Sequence, residues 1–400
     1  MKKIMIMGAG IYQVPLIRRA RKMGIYTIAV SIPGDYPGFF EADEALYINT
    51  TDYEAVLNAA RERQIDGIVT VGTDVAVITI GRVCEELKLS GLSFSAARIS
   101  TDKSLMKECF EKAGVRTAKF RKFFLDTPVE EVLENCSDMQ YPLIVKTVDS
   151  SGSRGITRID LPDRLPEAVE AVRAVTHRDY YLVEEFITGD DFGAQAFVYD
   201  GEVLFVLPHG NYQFHGDTGV PAGHYVPYPL QPEELEDMEK QVTGAIRAMG
   251  LDHCAVNADL ILRGGKTYVV ELTGRGGATG LSELDSVYLG VDMYEQILRS
   301  ALGERPDFPA DGKGKAACAC KLLQSPATGT LTLLKNENSD SDPGIVEIVL
   351  DHHAGDKVRA FRVGPDRIGH VITKGCTLAQ AEQALEEALG KIRVEVVNES

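Results

Sequence analysis

Two carboxylates and a guanidinium stand close together where AVNADLIL (255–262) is followed by VVELTGRGGATG (269–280): Asp259, Glu271 and Arg275. Residues 256–262 and 266–272 alternate polar with apolar side chains, as half-buried strands do, and Gly264 with Gly265 can supply the turn between them. A three-residue loop, 264–266, sets Asp259 directly opposite Glu271. Cross-strand partners on one face hold their Cβ atoms roughly 4.5–5.5 Å apart, near enough for two carboxylates to share a hard divalent cation through oxygen. Taken alone, such a pair is more simply a surface hairpin with its acids in solvent. The residues upstream change that weighting.

YPLIVKTV (141–148) reads as a strand carrying one lysine, Lys146, which must snorkel, reach solvent or meet an anion. DSSGSRGI (149–156) follows directly, a small-residue loop whose backbone N–H groups can wrap phosphate oxygens. The order is the reverse of a Walker loop, where lysine follows the glycines. A second lysine, Lys103, opens a helix capped by Asp102, with Leu105, Met106, Cys109 and Phe110 as its apolar side and Gly114 as its end. Glu184, Glu185, Asp190 and Asp191 cluster around a strand and a turn; a solvated acidic turn is the bland alternative. The region 208–229, with His209, His215, His224 and Tyr225, reads as a long irregular loop of the kind that lines pockets.

These groups need a scaffold, and three parts are visible. Residues 1–97 alternate strand and helix: KIMIMGAG, a helix over 14–23, YTIAVSI, a helix near 53–63, GIVTVG, a helix over 77–87, then GLSF. That pattern implies a parallel sheet with right-handed crossovers. Gly8-Ala9-Gly10 suggests a dinucleotide turn, but Gln13 holds the slot of the third glycine and Ser31-Ile32-Pro33 replaces a ribose-binding acid, so a nicotinamide oxidoreductase is disfavoured. Gly72-Thr73-Asp74 sits at the carboxyl end of a strand, where open α/β sheets place ligand groups; capping the next helix is an equal reading for Asp74. Residues 98–304 carry the chemistry. Residues 305–400 form a smaller α+β unit with strands AACACKLL, IVEIVL, VRAFRV and KIRVEVV, an exposed loop over 336–344, and a helix opened by Thr377-Leu378-Ala379-Gln380 and closed by Gly390.

With 400 residues, 44% apolar and 25% charged, the chain can build two or three cores. A net charge of −17 argues against nucleic acid or an anionic membrane as partner, so an anionic ligand needs a local cationic site. No stretch approaches the roughly 18 apolar residues of a membrane span, and MKKIMIMGAG reads as a buried strand; we expect a cytoplasmic protein. The seven cysteines lack metal-ligand spacing, and Cys318 with Cys320 are read as buried strand residues.

The order Asp102-Lys103, Lys146 with its glycine loop, VEEFITGDDF, Asp259, and Glu271 with Arg275 and Gly277 resembles the ATP-grasp superfamily across nearly the whole chain. Within it the chain is similar to carboxylate-amine ligases, including L-amino-acid ligases, and to carbamoyl-phosphate-synthase-like chains. The resemblance implies an α/β and α+β ATP-grasp fold: a pre-ATP-grasp parallel-sheet domain (1–97), an ATP-grasp domain (98–304) with a mobile subdomain at about 115–182, and a C-terminal domain (305–400). It implies ATP and Mg2+ as cofactors, with Mn2+ able to substitute. Lys103 and Lys146 are then at the phosphates and the adenine side, with Ser151, Gly152, Ser153 and Gly155 in a loop over the β and γ phosphates. Glu185, Phe186 and Ile187 lie along adenine, Glu184 receives its amino group, and Asp191 takes the ribose hydroxyls. Asp259 and Glu271 hold the metal, and Arg275 is catalytic. Asp74, His209, His224, Thr273 and Gly277 are the candidate substrate contacts. The family usually carries asparagine where Thr273 stands; Asn257, across the hairpin, is a substitute ligand.

The implied activity is ATP-dependent activation of a substrate carboxylate as an acyl phosphate for attack by an amine, with an amino acid as substrate and a homodimer as the assembly. A bicarbonate-using enzyme and a non-catalytic nucleotide-binding protein are the alternatives.

Overall fold

Alternating apolar residues on the first strand serve two cores at once: Ile4 and Ile6 point to one side of a sheet, Met5 and Met7 to the other, and all four are fully buried. This is the burial a parallel sheet requires. Lys3–Met7, Tyr26–Ser31, Glu44–Tyr47 and Gly67–Val69 pair in parallel, in the spatial order third, second, first, fourth. Helices Tyr53–Arg63 and Val77–Leu87 cover one face. The other is covered by Val14–Lys22 together with Met293–Ala301, a helix from far along the chain. The computed structural model describes residues 1–148, 155–214, 216, 219–308, 316–339 and 341–398.

A small antiparallel sheet follows, in the order Phe120–Phe124, Tyr180–Glu185, Leu143–Lys146, Ile156–Ile159, with helices Val129–Asn135 and Leu165–Arg173 packed into its core. The dominant element is an eight-stranded antiparallel sheet in the order Lys266–Thr273, Cys254–Arg263, Asp190–Tyr199, Glu202–Gln213, Pro221–Val226, Ala317–Gln324, Arg367–Gly375, Ile345–Leu350. Helices Lys103–Ala113 and Pro232–Met249 share the core under its first strands. The sheet runs across position 304 without a break, since Pro221–Val226 pairs with Ala317–Gln324. A three-stranded sheet (Lys357–Val358, Gly329–Asn336, Ile392–Asn398) and helix Leu378–Gly390 complete the C-terminal part.

Several local expectations change. GLSF is not a strand: Ser93 caps helix Phe94–Ser100 by accepting from Ala96 N. Helix Pro37–Glu41 and strand Glu44–Tyr47 are additional elements. The supposed irregular loop over 208–229 is largely strand, because Glu202–Gln213 continues through Pro208 and Pro221–Val226 pairs back onto it. Two of its histidines, His209 and His224, are buried on those paired strands, so polarity there is no mark of a loop. Of VRAFRV only Val358 is in a strand, the two-residue Lys357–Val358. On helix Lys103–Ala113 the buried face consists of Ser104, Met106, Lys107 and Phe110; Leu105 and Cys109 are only partly covered.

Candidate active site

The acidic hairpin brings Asp259 opposite Glu271, by a different route from the expected one. The turn has two residues, Gly264 and Gly265, at φ 59° and 70°, with Arg263 paired to Lys266. Two consecutive left-handed residues make the hairpin turn that glycine accommodates without strain. That turn alone would pair Asp259 with Val270. A β-bulge between the Asp259 and Leu260 pairings inserts Val270 as an extra residue and restores Glu271 as the partner.

Asp259 is exposed to solvent at its edge, while the protein around it strips much of the water from its carboxylate. That desolvation, and then the Glu271 charge, push its carboxyl pKa up to about 7, with Asp191 and Asp74 adding to the rise and Arg275 opposing it. Lys103 Nζ donates to Glu271 Oε1 at 3.0 Å. Asn257 lies opposite Thr273, and its Nδ2 is 3.5 Å from Asp259 Oδ1, so its side chain shares the acid face. Its Oδ1 accepts from buried Gln195 Nε2 at 2.6 Å.

Arg275 is held by the N-terminal domain. Its Nε donates to Asp74 Oδ1 at 2.7 Å and its Nη1 to the Gly276 carbonyl at 3.2 Å, while Nη2 makes no hydrogen bond among the described residues. Val71 and Gly276 form a parallel bridge, and Gly72 N donates to Gly276 O at 3.1 Å, so the N-terminal sheet docks directly onto the arginine loop. Burial would raise the Asp74 pKa; the Arg275 charge and hydrogen bond, Lys103 and the Thr273 hydroxyl overcome it and lower it. Asp74 is therefore the counter-ion of Arg275, and buried Thr273 supports Asp74. Gly277 N donates to Gln195 Oε1 at 3.0 Å, tying the same loop to the sheet.

A second charged group forms where the small sheet meets helix Lys103–Ala113. Buried Glu184 contacts Lys146 through Oε1 and Lys107 Nζ through Oε2, the latter at 2.8 Å. Burial by itself would raise the Glu184 pKa, yet the two ammonium groups hold it at about 2. The Glu185 carboxylate accepts from Gln140 N at 2.8 Å, Phe186 lies under the Arg158 guanidinium at 4.5 Å, and Ile187 is buried. Asp191 accepts from Asn211 Nδ2 (3.0 Å) and Gln213 Nε2 (3.1 Å). Gly155, at φ 67°, starts the described chain again after the glycine loop, whereas Ser151, Gly152 and Ser153 lie outside the described residues.

His209 and His224 are buried with their rings in edge contact at 5.2 Å. Burial lowers both pKa values, that of His209 to about 4, so both rings are neutral near pH 7. They pack inside the sheet layer: His209 fills the space over Gly193, where a Cβ would stand 2.4 Å from its ring, and His224 Nδ1 is 2.9 Å from Asn211 Oδ1.

Known proteins resolve the family. Residues 139–283 match the ATP-grasp domain, and residues 321–397 match the L-amino acid ligase C-terminal domain 2. A solved phosphoribosylglycinamide synthetase from Anaerococcus prevotii superposes with a TM-score of 0.86 at 34% identity, covering 99% of this chain and 100% of that one. The chain belongs to the ATP-grasp family.

A formate-dependent phosphoribosylglycinamide formyltransferase of Parasynechococcus marenigrum is 25% identical over 98% of both chains. The alanine–anticapsin ligase of Bacillus subtilis (strain 168) is 24% identical over 71% of this chain and 66% of its own length. The L-amino acid ligase from Bacillus licheniformis shares the fold, with a TM-score of 0.79 at 21% identity over 100% and 99% of the two chains.

For an ATP-grasp protein the donor chemistry at Asp259 and Glu271 fits a divalent cation: a carboxylate raised by a like charge gains when a cation arrives. Among the described residues no group of three or more His, Cys, Asp or Glu side chains could hold a metal. Asp259 and Glu271 would hold such an ion, and their hard oxygen donors would suit Mg2+. The structure thus gathers Asp74, Lys103, Asp259, Glu271 and Arg275 within electrostatic reach of one another. Lys107 and Gln195 are the members that sequence reading missed. Lys107 had a signal, four residues after Lys103 on one helical face; Gln195 had none. No helix among the described residues is long and apolar enough to cross a membrane.

Proposed function

We propose that this chain is an ATP- and Mg2+-dependent, ADP-forming carboxylate–amine ligase of the cytoplasm, with an amino acid as substrate and Mn2+ able to replace Mg2+. One observation carries the reading: the paired acids Asp259 and Glu271 lie beside Lys103 and an Arg275 anchored from the neighbouring domain. Phosphoryl transfer needs positioning and charge more than covalent help.

The divalent ion supplies neutralisation of the β and γ phosphates when bound at Asp259 and Glu271. Lys103 and Lys146 bind phosphate oxygens, Asp191 faces the ribose, and the segment 184–187 lies along adenine. A substrate carboxylate oxygen attacks the γ phosphorus and ADP leaves, giving an acyl phosphate. An amine then attacks the carbonyl carbon, the bond to the phosphate oxygen breaks, and phosphate departs as the amine loses a proton. Asp74 fixes Arg275 by its Nε edge, leaving Nη2 to stabilise oxygen charge on the acyl phosphate and the tetrahedral stage. No side chain serves as nucleophile.

The test is ADP release by the purified chain with ATP, Mg2+ and pairs of amino acids, small carboxylates or bicarbonate. Release requiring both a carboxylate and an amine is expected. Release with bicarbonate alone would redirect the reading to carboxyphosphate chemistry, and ATP binding without release under any pairing would leave a nucleotide-binding protein. A homodimer is expected by light scattering.

A further inference from the structure

Helix Lys103–Ala113 aims two lysines, one turn apart, at two different carboxylates: Lys103 at Glu271 (3.0 Å) and Lys107 at Glu184 (2.8 Å). Lys107 is 2% exposed, and its Nζ also donates to Thr117 Oγ1 at 2.9 Å. Glu184 is buried with it, one oxygen toward Lys107 and the other against Lys146, which has no other side-chain partner among the described residues. Two buried ammonium groups thus share one buried carboxylate. The set holds one positive charge in excess, and a single lysine suffices to neutralise Glu184. Lys107 is anchored at two points, Lys146 at one.

We infer that Lys107 is a positioning residue: it is the permanent counter-ion that keeps Glu184 ionised and in place while Lys146 turns to an anionic ligand. The inference rests on the nucleotide reading above, with a phosphate oxygen as that anion. A buried carboxylate stripped of its partner is strongly penalised. Without Lys107, Lys146 could leave Glu184 only by exposing that penalty, so it would stay and the anion would lose its ligand. With Lys107 present, Lys146 exchanges one oxygen anion for another while Glu184 remains paired.

Calorimetric titration of the full chain with MgADP tests this, alongside kcat and KM for ATP. Lys107→Met weakens MgADP by roughly 100-fold, the order expected for disturbing a buried charge pair, and raises KM more than it lowers kcat. Lys107→Arg stays within a few-fold of wild type. The ratio of Lys107→Met to wild-type Kd shrinks as pH falls, because protonating Glu184 releases Lys146 in the variant. In a Glu184→Gln background, adding Lys107→Met does not weaken MgADP, since no carboxylate remains to retain Lys146 and the substitution removes one of two buried ammonium groups left without their counter-ion. Lys107→Gln, which keeps a donor for Thr117 without the charge, should show the same loss and serves if the Lys107→Met chain does not fold. Wild-type affinity in Lys107→Met, or an equal loss in the Glu184→Gln background, overturns the inference while leaving the nucleotide reading intact. Failure of the wild-type chain to bind ADP overturns that reading and this inference with it.

Discussion

Asp259 and Glu184 are carboxylates of one domain driven in opposite directions, Asp259 up to about 7 and Glu184 down to about 2. Loss of water pushes both upward, and of the two Glu184 is the buried one while Asp259 is exposed. What separates them is the sign of their neighbours: Glu271, Asp191 and Asp74 around Asp259, two lysines against Glu184. Charge company outweighs depth. The acidic end is short of a cation and the basic end carries one to spare; on the proposed function these are the metal and phosphate poles of the site.

The comparison can be broken most sharply at Arg275. Arg275→Ala is expected to cut turnover by about 10²–10³-fold, the usual loss for a group that stabilises developing oxyanion charge, while the Kd for MgADP moves only a few-fold. Equal losses in both would make Arg275 a nucleotide ligand. Because the substitution strands Asp74, the double variant Arg275→Ala/Asp74→Asn should be the more stable of the two while remaining inactive.

At the acidic pole, Glu271→Gln removes one member of the repelling pair and the partner of Lys103. The Mg2+ concentration for half-maximal ADP binding should rise by about tenfold or more; an unchanged midpoint would remove Glu271 from the metal site.

His209 provides the control in which burial acts without a charged neighbour, lowering its pKa from 6.5 to about 4. The sign follows from linkage. Between those pH values the unfolded chain binds the proton and the folded chain does not, so stability falls as pH drops through 6.5 and levels off below about 4. The span is worth about 3 kcal/mol, and His209→Gln should flatten that part of the Tm–pH profile; an unaltered slope would put the titration elsewhere.

The smallest effect expected is steric. Gly193→Ala sets a Cβ 2.4 Å from the His209 ring and 2.9 Å from the Ala258 carbonyl, and should cost about 1–3 kcal/mol in thermal denaturation. His209→Gln should relieve part of that cost if the ring is what the methyl meets.

Much of the frame was legible because its signals are local. Helices over 53–63 and 77–87 follow from apolar spacing, and Asp102 caps helix Lys103–Ala113 by accepting from Ser104 N and Leu105 N. The opposition of Asp259 and Glu271 was reached by an assumed three-residue loop; a two-residue turn and the bulge at Val270 cancel to the same register. Bulges leave little trace in an alternating pattern, so that agreement owed something to compensation. The region 208–229 has the composition of a loop although it is largely paired strand, because polar residues such as His209 and His224 are buried on it.

The sequence by itself determined which segments become strands and helices and which residue types stand at the ends of the acidic hairpin, since periodicity, caps and glycine turns act within a few neighbouring residues. Only the tertiary structure decided the partners. Asp74 meets Arg275 across 201 positions of chain, and Lys107 meets Glu184 from an unrelated element. Ion pairs of that kind form when domain packing buries a charge and obliges it to find its opposite, an obligation set by where the surfaces close and not by the order of residues along either one.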